Sequence, residues 1–487
     1  MANANRLSIG WASRSITPER PVNLWGQFHV RISKGVLDPV TATALSVSSG
    51  DDAFIWVSCD LCAIPMETLA KCREKLKRLA PDFPSEKLVM NATHTHTAPE
   101  ITGAWYPPPP PGVMTPAEYN EFLSDRVAEA AAESWKARAP GAVAWGWGHA
   151  VAGHNRRAVY FDDLTRRPEN SNPPGTKTEV NARMYGNTND PQFSHVEGYV
   201  DHGVNVLFTF DAKQALTGAA INLACPSQET EGMDRISADF WHETRAELRK
   251  RHGESLFVLP QCAPAGDLSP HLIYNKKAEE RMLKLKGRTS RQEIAERIAA
   301  SFDEMLPWAQ KELREEAVLR HSVRTIPLER RAISEEEVRE ARAGIEAIGK
   351  AAASPSGDPA KRPYWERDDV RFSRGVRCRR IVERYEEQKT EPSLPVELHV
   401  IRLGDAAFAT NPFELFLDFG LRIVARSPAV QTFLAQLAAG GHGSYLATQK
   451  GEAGGGYSAC LYCNEVGSAG GQQLVEETLK SMGELWK

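Results

Sequence analysis

The sequence has no long apolar run. No stretch approaches the roughly 18 consecutive apolar residues that a membrane-spanning helix needs. Residues 1–7 also lack the short apolar segment of a secretory signal. We therefore expect no stable membrane insertion and no signal peptide.

Charge of one sign is not in excess. Lysine and arginine total 59, aspartate and glutamate total 63, and the net charge is −4. There is no basic stripe of the kind that binds nucleic acid. A small-molecule substrate is therefore the expected partner, and the sequence leaves the oligomeric state open.

Cysteine is sparse, with eight residues scattered over 487. That spacing is not a disulfide framework, so we expect a reduced, cytoplasmic location. Two pairs, Cys59-x-x-Cys62 and Cys460-x-x-Cys463, could in principle form a four-thiolate zinc site. Buried, unrelated thiols are the favoured interpretation.

The sequence does contain a mixture of strand and helix signals. Short apolar runs predict strands at residues 43–49, 53–59, 87–90, 204–210, 218–223, 256–259, 396–403 and 406–409. Helical spacing predicts helices at 66–79, 116 to about 139, 239–251, 414–425 and 473–486. Capping boxes at Thr115, Ser290 and Ser334 mark helix starts. The mixture indicates an α/β (mixed α+β) fold, with irregular insertions near 160–195 and 351–370.

A histidine pair is the strongest candidate for chemistry. His94 and His96 follow the strand at 87–90, within Thr93-His94-Thr95-His96. In extended chain, residues two apart point the same way, so both imidazoles are predicted to face one spot. Imidazole is a common metal ligand and a common general acid or base. The pair alone is equally compatible with coincidence.

Further segments carry polar groups in loops beside predicted strands. Ser269 ends Gly266-Asp267-Leu268-Ser269, and Glu414 follows Asn411-Pro412-Phe413, where a helix start would also favour a carboxylate. Tyr445 and Tyr457 are each embedded in glycines, which allow close backbone approach to a ligand.

A fourth segment, Cys225-Pro226-Ser227-Gln228, leads to a predicted helix. On that helix Asp239, His242 and Glu243 would share one face, as a metal site or as a solvated surface.

In this order, the segments resemble the N-terminal catalytic domain of the neutral/alkaline non-lysosomal ceramidase family. The matching segments span nearly the whole chain and are Gly10-Trp11-Ala12 to Ile16-Thr17-Pro18, Val57 to Leu61, Thr93 to His96, Asn155-Arg156, Ser237 to Asp239, Gly266 to Pro270, Pro412 to Glu414, and the Tyr445/Tyr457 pair. The resemblance implies one large catalytic domain over residues 1–487, with mixed β-sheets flanked by helices. The family's C-terminal immunoglobulin-like domain is expected to be absent.

The resemblance also implies roles. In the family two histidines, a glutamate and a tyrosine hold zinc. His94, Glu414 and Tyr445 match three of these ligands. The remaining matches are to catalytic positions: His96 to a histidine beside the metal, Ser269 to a serine proposed as nucleophile, Arg156 to an arginine that faces the substrate, and Tyr457 to a hydrogen-bonding tyrosine.

The family's second zinc histidine is missing. That position reads Cys225 here, and a thiolate binds zinc well, so Cys225 is the first candidate for the fourth ligand. Alternatively Asp239, His242 or Glu243 rebuilds the site, or the metal is lost.

The expected function is a metal-dependent, zinc-type hydrolase of a linear amide (N-acyl) bond. A soluble substrate is favoured over ceramide, because fold does not fix function. Two alternatives stay open at this point: a carbohydrate-processing lyase or isomerase on the same metal site, and a non-catalytic binding protein with a degraded site.

Overall fold

Four layers of secondary structure, in the order helix, sheet, sheet, helix, make up the fold. The structure is a computed structural model and describes residues 5–167, 173, 176, 178–353, 362–438 and 444–487. The mixed α/β class expected from the sequence is confirmed. No helix within the described ranges combines the length and the apolar character needed to cross a membrane.

Strands and helices are numbered in chain order. The strands are β1 (Ser8–Ser15), β2 (Thr41–Ser49), β3 (Asp52–Cys59), β4 (Leu88–Ala92), β5 (Ala139–His149), β6 (His154–Asn155), β7 (Arg157–Tyr160), β8 (Ala182–Met184), β9 (Phe193–Val196), β10 (Gly203–Asp211), β11 (Leu216–Leu223), β12 (Phe257–Cys262), β13 (Leu268–Ser269), β14 (Leu319–Glu329), β15 (Ser393–Leu403), β16 (Ala406–Thr410), β17 (Glu414–Leu415), β18 (Gln431–Ala435) and β19 (Tyr445–Leu446). The helices are α1 (Met66–Leu79), α2 (Pro116–Lys136), α3 (Phe240–His252), α4 (Lys276–Lys286), α5 (Ser290–Ala309), α6 (Glu335–Ala353), α7 (Asp368–Glu387), α8 (Leu417–Arg426), α9 (Gln449–Gly454) and α10 (Ser468–Leu485).

The larger sheet has eight strands in the order β12-β11-β10-β5-β1-β2-β3-β4. Its neighbours are antiparallel except β3 with β4 and β11 with β12, the two parallel pairs at its ends. The two ends approach each other, since Asn91 of β4 donates from its side chain to the carbonyl of Pro260 in β12 at 3.2 Å. Ser227, just after β11, donates from its N–H and Oγ to the carbonyl of Thr93, just after β4. The C-terminal ends of β4 and β11 therefore meet.

The smaller sheet, β14-β15-β16-β18, packs face to face on the larger one. The core between them is apolar and rich in aromatic rings: Phe408 of β16 lies 6.1 Å from Trp56 of β3 and 4.4 Å from Phe433 of β18, centroid to centroid. Asn222 of β11 donates to the carbonyl of Leu434 in β18 at 2.8 Å. Burial of such rings supplies the main cohesion between the sheets.

Helices cover the outer faces. α1 and α2 bury apolar side chains against β1–β4, while α3 and α5 do so against β5, β10 and β11. α8 and α10 cover the smaller sheet. α6 and α7 pack on each other as a hairpin between β14 and β15, two strands that pair along eleven positions.

Several predicted elements end elsewhere than expected. Glu414 forms the short strand β17 instead of a first helical turn, because its backbone pairs with Tyr445 of β19. The capping box at α5 uses Thr289 with Gln292, one residue before the predicted one, whereas the boxes at Thr115 and Ser334 are confirmed. The insertion near 160–195 contains β8 and β9, which pair with β7. Residues 354–361 of the second insertion lie outside the described residues.

Candidate metal centre

The candidate centre lies where several strands end. His94 and His96 follow β4, Cys62 follows β3, and Glu414 and Tyr445 lie on the paired strands β17 and β19. Together with Tyr457 they line a cavity of about 70 Å³. Residues 440–443, three glycines and His442, precede Tyr445 and lie outside the described residues.

His94 is the hub of the centre. Its φ of +65° is in the left-handed region, so the expectation that the pair lies on extended chain was wrong. The turn nevertheless brings the rings together, with Nε2 of His94 3.3 Å from Nε2 of His96 and 3.1 Å from Oε2 of Glu414. Nδ1–H donates to the carbonyl of Cys62 at 2.7 Å. That bond directs Nε2 toward His96 and Glu414, the position from which it would bind a metal once deprotonated.

His96 is held from three sides. Its carbonyl accepts from Arg31 at 2.5 Å, its Nε2 lies 3.0 Å from Nε2 of Gln228, and its Nδ1 lies 3.4 Å from the Glu231 carboxylate. The ring is buried, with 8% of its surface exposed. Gly26, with φ +107°, lies against this ring so closely that a Cβ would be 2.3 Å from its Cγ.

Cys62 belongs to the centre, which the sequence did not predict. Its Sγ is 3.9 Å from Nδ1 of His94, and one donor atom each from Cys62, His94 and His96 lie within 4.8 Å of one another. Burial opposes ionisation of the thiol, but the two histidines lower its pKa to about 7. The two cysteine pairs are buried in separate cores, as the favoured interpretation expected, and what the sequence missed is that Cys62 lies beside the two histidines. Cys460 and Cys463 lie in another core, 3.4 Å apart, sulfur to sulfur.

Glu414 and Tyr445 form the other wall. Burial raises the pKa of the Glu414 carboxyl, but His94 beside it outweighs burial and holds that pKa below its ordinary value. The Tyr445 hydroxyl contacts this carboxylate and accepts from Nη2 of Arg156 at 3.2 Å. Burial raises the pKa of Tyr445 well above its usual range, so its hydroxyl keeps its proton.

Arg156 is buried and supports the wall. Its Nη2 also donates to the carbonyl of Gly266 at 3.1 Å, and its Nη1 donates to Oε1 of Gln228 at 3.1 Å. Through these bonds it fixes both Tyr445 and Gln228. Gln228 was not predicted from the sequence, and its polar side chain after β11 and Pro226 was the available signal.

Cys225 points elsewhere. It packs in the core between the larger sheet and α3 and α5, and its Sγ lies 3.5 Å from the carbonyl of Pro226. Burial raises the pKa of this thiol well above its usual range. Gln228, three residues later, is the side chain of this segment that contacts a histidine of the centre.

The alternative metal set is not assembled either. Asp239 caps α3 and accepts from the N–H and hydroxyl of Thr230, His242 is exposed, and Glu243 pairs with Arg291. Among the described residues, one set of three histidine, cysteine or acidic residues lies close enough together to share a metal. That set is Cys62, His94 and His96.

Two predicted catalytic residues have different surroundings. Tyr457 lines the cavity and packs edge-on against Tyr445, 5.5 Å between ring centroids. Ser269 lies on β13, where its Oγ accepts from the N–H of His271 at 2.9 Å and contacts the hydroxyl of Tyr185. Tyr185 in turn accepts from Arg156 at 3.5 Å.

A divalent cation suits these donors. Zinc binds imidazole, thiolate and carboxylate at about 2.0–2.3 Å in a tetrahedron, which places neighbouring donor atoms roughly 3.3–3.7 Å apart. The two distances from Nε2 of His94, 3.1 and 3.3 Å, are close to that spacing. Since Cys62, His94 and His96 have donor atoms within 4.8 Å of one another, these three residues fit a metal, and Glu414 borders the site through His94.

Comparison with solved structures gives the fold a precedent. No known family model and no curated protein sequence matches the chain. Neutral ceramidase from Pseudomonas aeruginosa superposes with a TM-score of 0.65 at 18% identity, covering 99% of this chain and 75% of that one. A ceramidase complexed with C2 gives a TM-score of 0.65 at 17% identity, covering 99% and 76%. The chain thus has the fold of neutral ceramidase, and the resemblance predicted from the ordered segments is confirmed for the fold.

Proposed function

We propose that this protein is a metal-dependent hydrolase of amide bonds whose substrate is soluble rather than ceramide. The observation that carries the proposal is that Cys62, His96 and Glu414 all lie close to His94. These side chains line one cavity. The likeness to ceramidases supports the fold of such an enzyme.

The metal would be held by His94, His96 and Cys62, the last supplying the thiol that was expected from Cys225, while Glu414 borders the site through His94. A zinc ion bound there would act as a Lewis acid and lower the pKa of water. The buried Nδ1–H bond to the carbonyl of Cys62 orients His94 for this role.

The remaining residues position the amide. Arg156 fixes the hydroxyl of Tyr445 toward the cavity wall, and Tyr457 lies next to it. These two phenols are suited to donate to the oxygen of the scissile carbonyl, where negative charge develops during attack by water. Because the hydroxyl of Ser269 is engaged by His271 and Tyr185, we propose that it supports its loop rather than attacking the substrate.

A larger cavity adjoins the first one, and charged residues lie among its mainly apolar walls. This cavity, of about 500 Å³, shares Trp25 and Trp105 with the first one. Charged residues make up a third of its walls: Glu67, Arg379, Arg380, Glu383, Arg384 and Glu465. Because a shared fold does not fix the substrate, substrate profiling tests the choice of a soluble substrate directly.

Elemental analysis and substrate profiling test the proposal. We expect about one zinc per chain, loss of hydrolysis of N-acyl substrates with a chelator, and recovery when zinc is returned. Turnover of sugars or uronates without N-acyl hydrolysis would instead favour a lyase or isomerase. A folded protein that takes up no metal would contradict the proposal and favour a binding protein. The cytoplasmic location stays a prediction.

A further inference from the structure

The α6–α7 hairpin places a cation at the candidate centre. Arg377 of α7 lines the same cavity as His94 and Glu414. Its guanidinium carbon lies 4.1 Å from the ring centroid of Phe28, 5.3 Å from that of Trp105 and 5.4 Å from that of Tyr462. Stacking on aromatic faces fixes the plane of the guanidinium.

Arg377 is a cation whose hydrogen bonds are incomplete. Its Nη1 is buried and has no hydrogen-bond partner within the described part of the chain. Its strongest electrostatic neighbours are the phenols of Tyr457 and Tyr462 and the thiols of Cys460 and Cys463, none of them a carboxylate. Arg377 is half-buried, and a cation shielded from water without a counter-ion is costly unless a ligand supplies the opposite charge.

Two other arginines of α7, Arg380 and Arg384, do not share this condition. Arg384 donates to the carbonyls of Leu461 and Asn464 at 2.8 and 2.6 Å, and Arg380 pairs with Glu465 at 3.0 Å. Arg377 is therefore distinguished from them both by its position in the cavity wall and by its unsatisfied donor.

We propose that Arg377 binds a carboxylate on the substrate, so that the substrate is an N-acylated amino acid or a similar amide with a carboxylate a few bonds from the scissile bond. The inference rests on the proposed amide hydrolysis. A planar guanidinium matches a carboxylate in a two-pronged contact. The cavity, of about 70 Å³, leaves room for only a few atoms between the centre at His94 and Arg377. This residue selects the substrate and takes no part in bond breaking.

Paired substrates and paired variants test this inference. The wild type, Arg377→Met and Arg377→Lys are each assayed with three types of substrate. These are N-acyl amino acids, the same compounds as primary carboxamides, and their phosphonate analogues. Methionine keeps an apolar side chain against Phe28 but removes the charge. Lysine keeps the charge but lacks the planar guanidinium that can make two parallel hydrogen bonds. Arg339→Met, at an exposed position on α6, is the matched control.

The wild type is expected to prefer the carboxylate to the carboxamide, and Arg377→Met to lower kcat/KM for the carboxylate roughly 10- to 100-fold, mainly through KM. Its effect on the carboxamide is expected to stay below about threefold, and Arg377→Lys to fall in between. Arg339→Met should behave as the wild type. Equal losses on both substrates, or a wild-type preference for the carboxamide or the phosphonate, would overturn the inference.

Calorimetric binding separates this inference from the hydrolase proposal. If the wild type binds the N-acyl amino acid without hydrolysing it, and Arg377→Met weakens that binding by about tenfold or more, the carboxylate site stands and amide hydrolysis fails. If the wild type hydrolyses neutral amides but binds the carboxylate no better than Arg377→Met does, hydrolysis stands and the carboxylate site fails.

Discussion

Gly26 allows a direct test of how His96 is held. We consider Gly26→Ala, with Gly35→Ala as its control. Both glycines have a positive φ, +107° and +124°, that alanine rarely adopts. They differ in their surroundings, since a Cβ on Gly26 would lie 2.3–2.7 Å from three carbons of His96, whereas one on Gly35 would meet nothing within 4 Å.

The two substitutions should differ by the cost of that contact. Backbone strain should lower the free energy of unfolding by about 1–2 kcal/mol in both variants. Overpacking adds roughly 1–3 kcal/mol for Gly26→Ala alone. The ring cannot retreat freely, because Gln228 and Glu231 lie against its two nitrogens. We therefore expect Gly26→Ala to displace the imidazole and weaken metal binding by about tenfold or more, as altered ligand orientation does elsewhere.

Denaturant unfolding is measured after a chelator has removed bound metal from each protein. The free energy of unfolding then reports the strain without a contribution from metal binding. Competition with a chelating dye then measures zinc affinity in each variant. Gly35→Ala should match the wild type in zinc affinity. If Gly26→Ala binds zinc as tightly as Gly35→Ala, and unfolds within about 0.5 kcal/mol of it, the contact with His96 does not organise the centre and the reasoning is refuted.

The same geometry supports three further predictions. Cys62→Ser should weaken zinc binding by about tenfold or more, while Cys225→Ser should leave it unchanged. The reverse result in the dye competition would favour Cys225, the ligand predicted from the sequence. Tyr445→Phe should lower kcat by about 10- to 100-fold with little change in KM, and an unchanged kcat would remove its hydroxyl from the reaction. In Glu397, burial raises the pKa, but His399 and Arg73 outweigh it and lower the pKa to about 2. The pairing therefore stabilises the fold above about pH 4.5, by at most about 3 kcal/mol, and this is lost as the pH falls through about 2; Glu397→Gln should lack that loss in acid unfolding.

The sequence predicted the elements of the fold better than the centre they build. Apolar spacing alone defines α1, at its observed bounds of Met66–Leu79, because one face of that helix is buried against the sheet. Glu414 was placed in a helix, since its pairing with Tyr445 lies thirty residues away and leaves no local pattern.

Membership of the centre depends on strand order, which is not encoded locally. Cys62 approaches His94 because β3 and β4 are parallel neighbours that end together. Nothing in Cys59-x-x-Cys62 indicates that neighbour, and the pattern suggested thiol partners instead. Cys225 and Gln228 are three residues apart, and only the path of the chain after β11 decides which of them reaches the histidines.

The position of the α6–α7 hairpin between β14 and β15 bears on how substrate preference could change. These strands pair along eleven positions, so their register is set by the strands themselves. The groups that surround His94 lie on other segments, whereas Arg377 lies on the hairpin. Substrate preference could thus be altered by substitutions on the cavity side of α7 that keep Arg384, because Arg384 donates to the carbonyl of Asn464 and Asn464 in turn donates to the carbonyl of Tyr445.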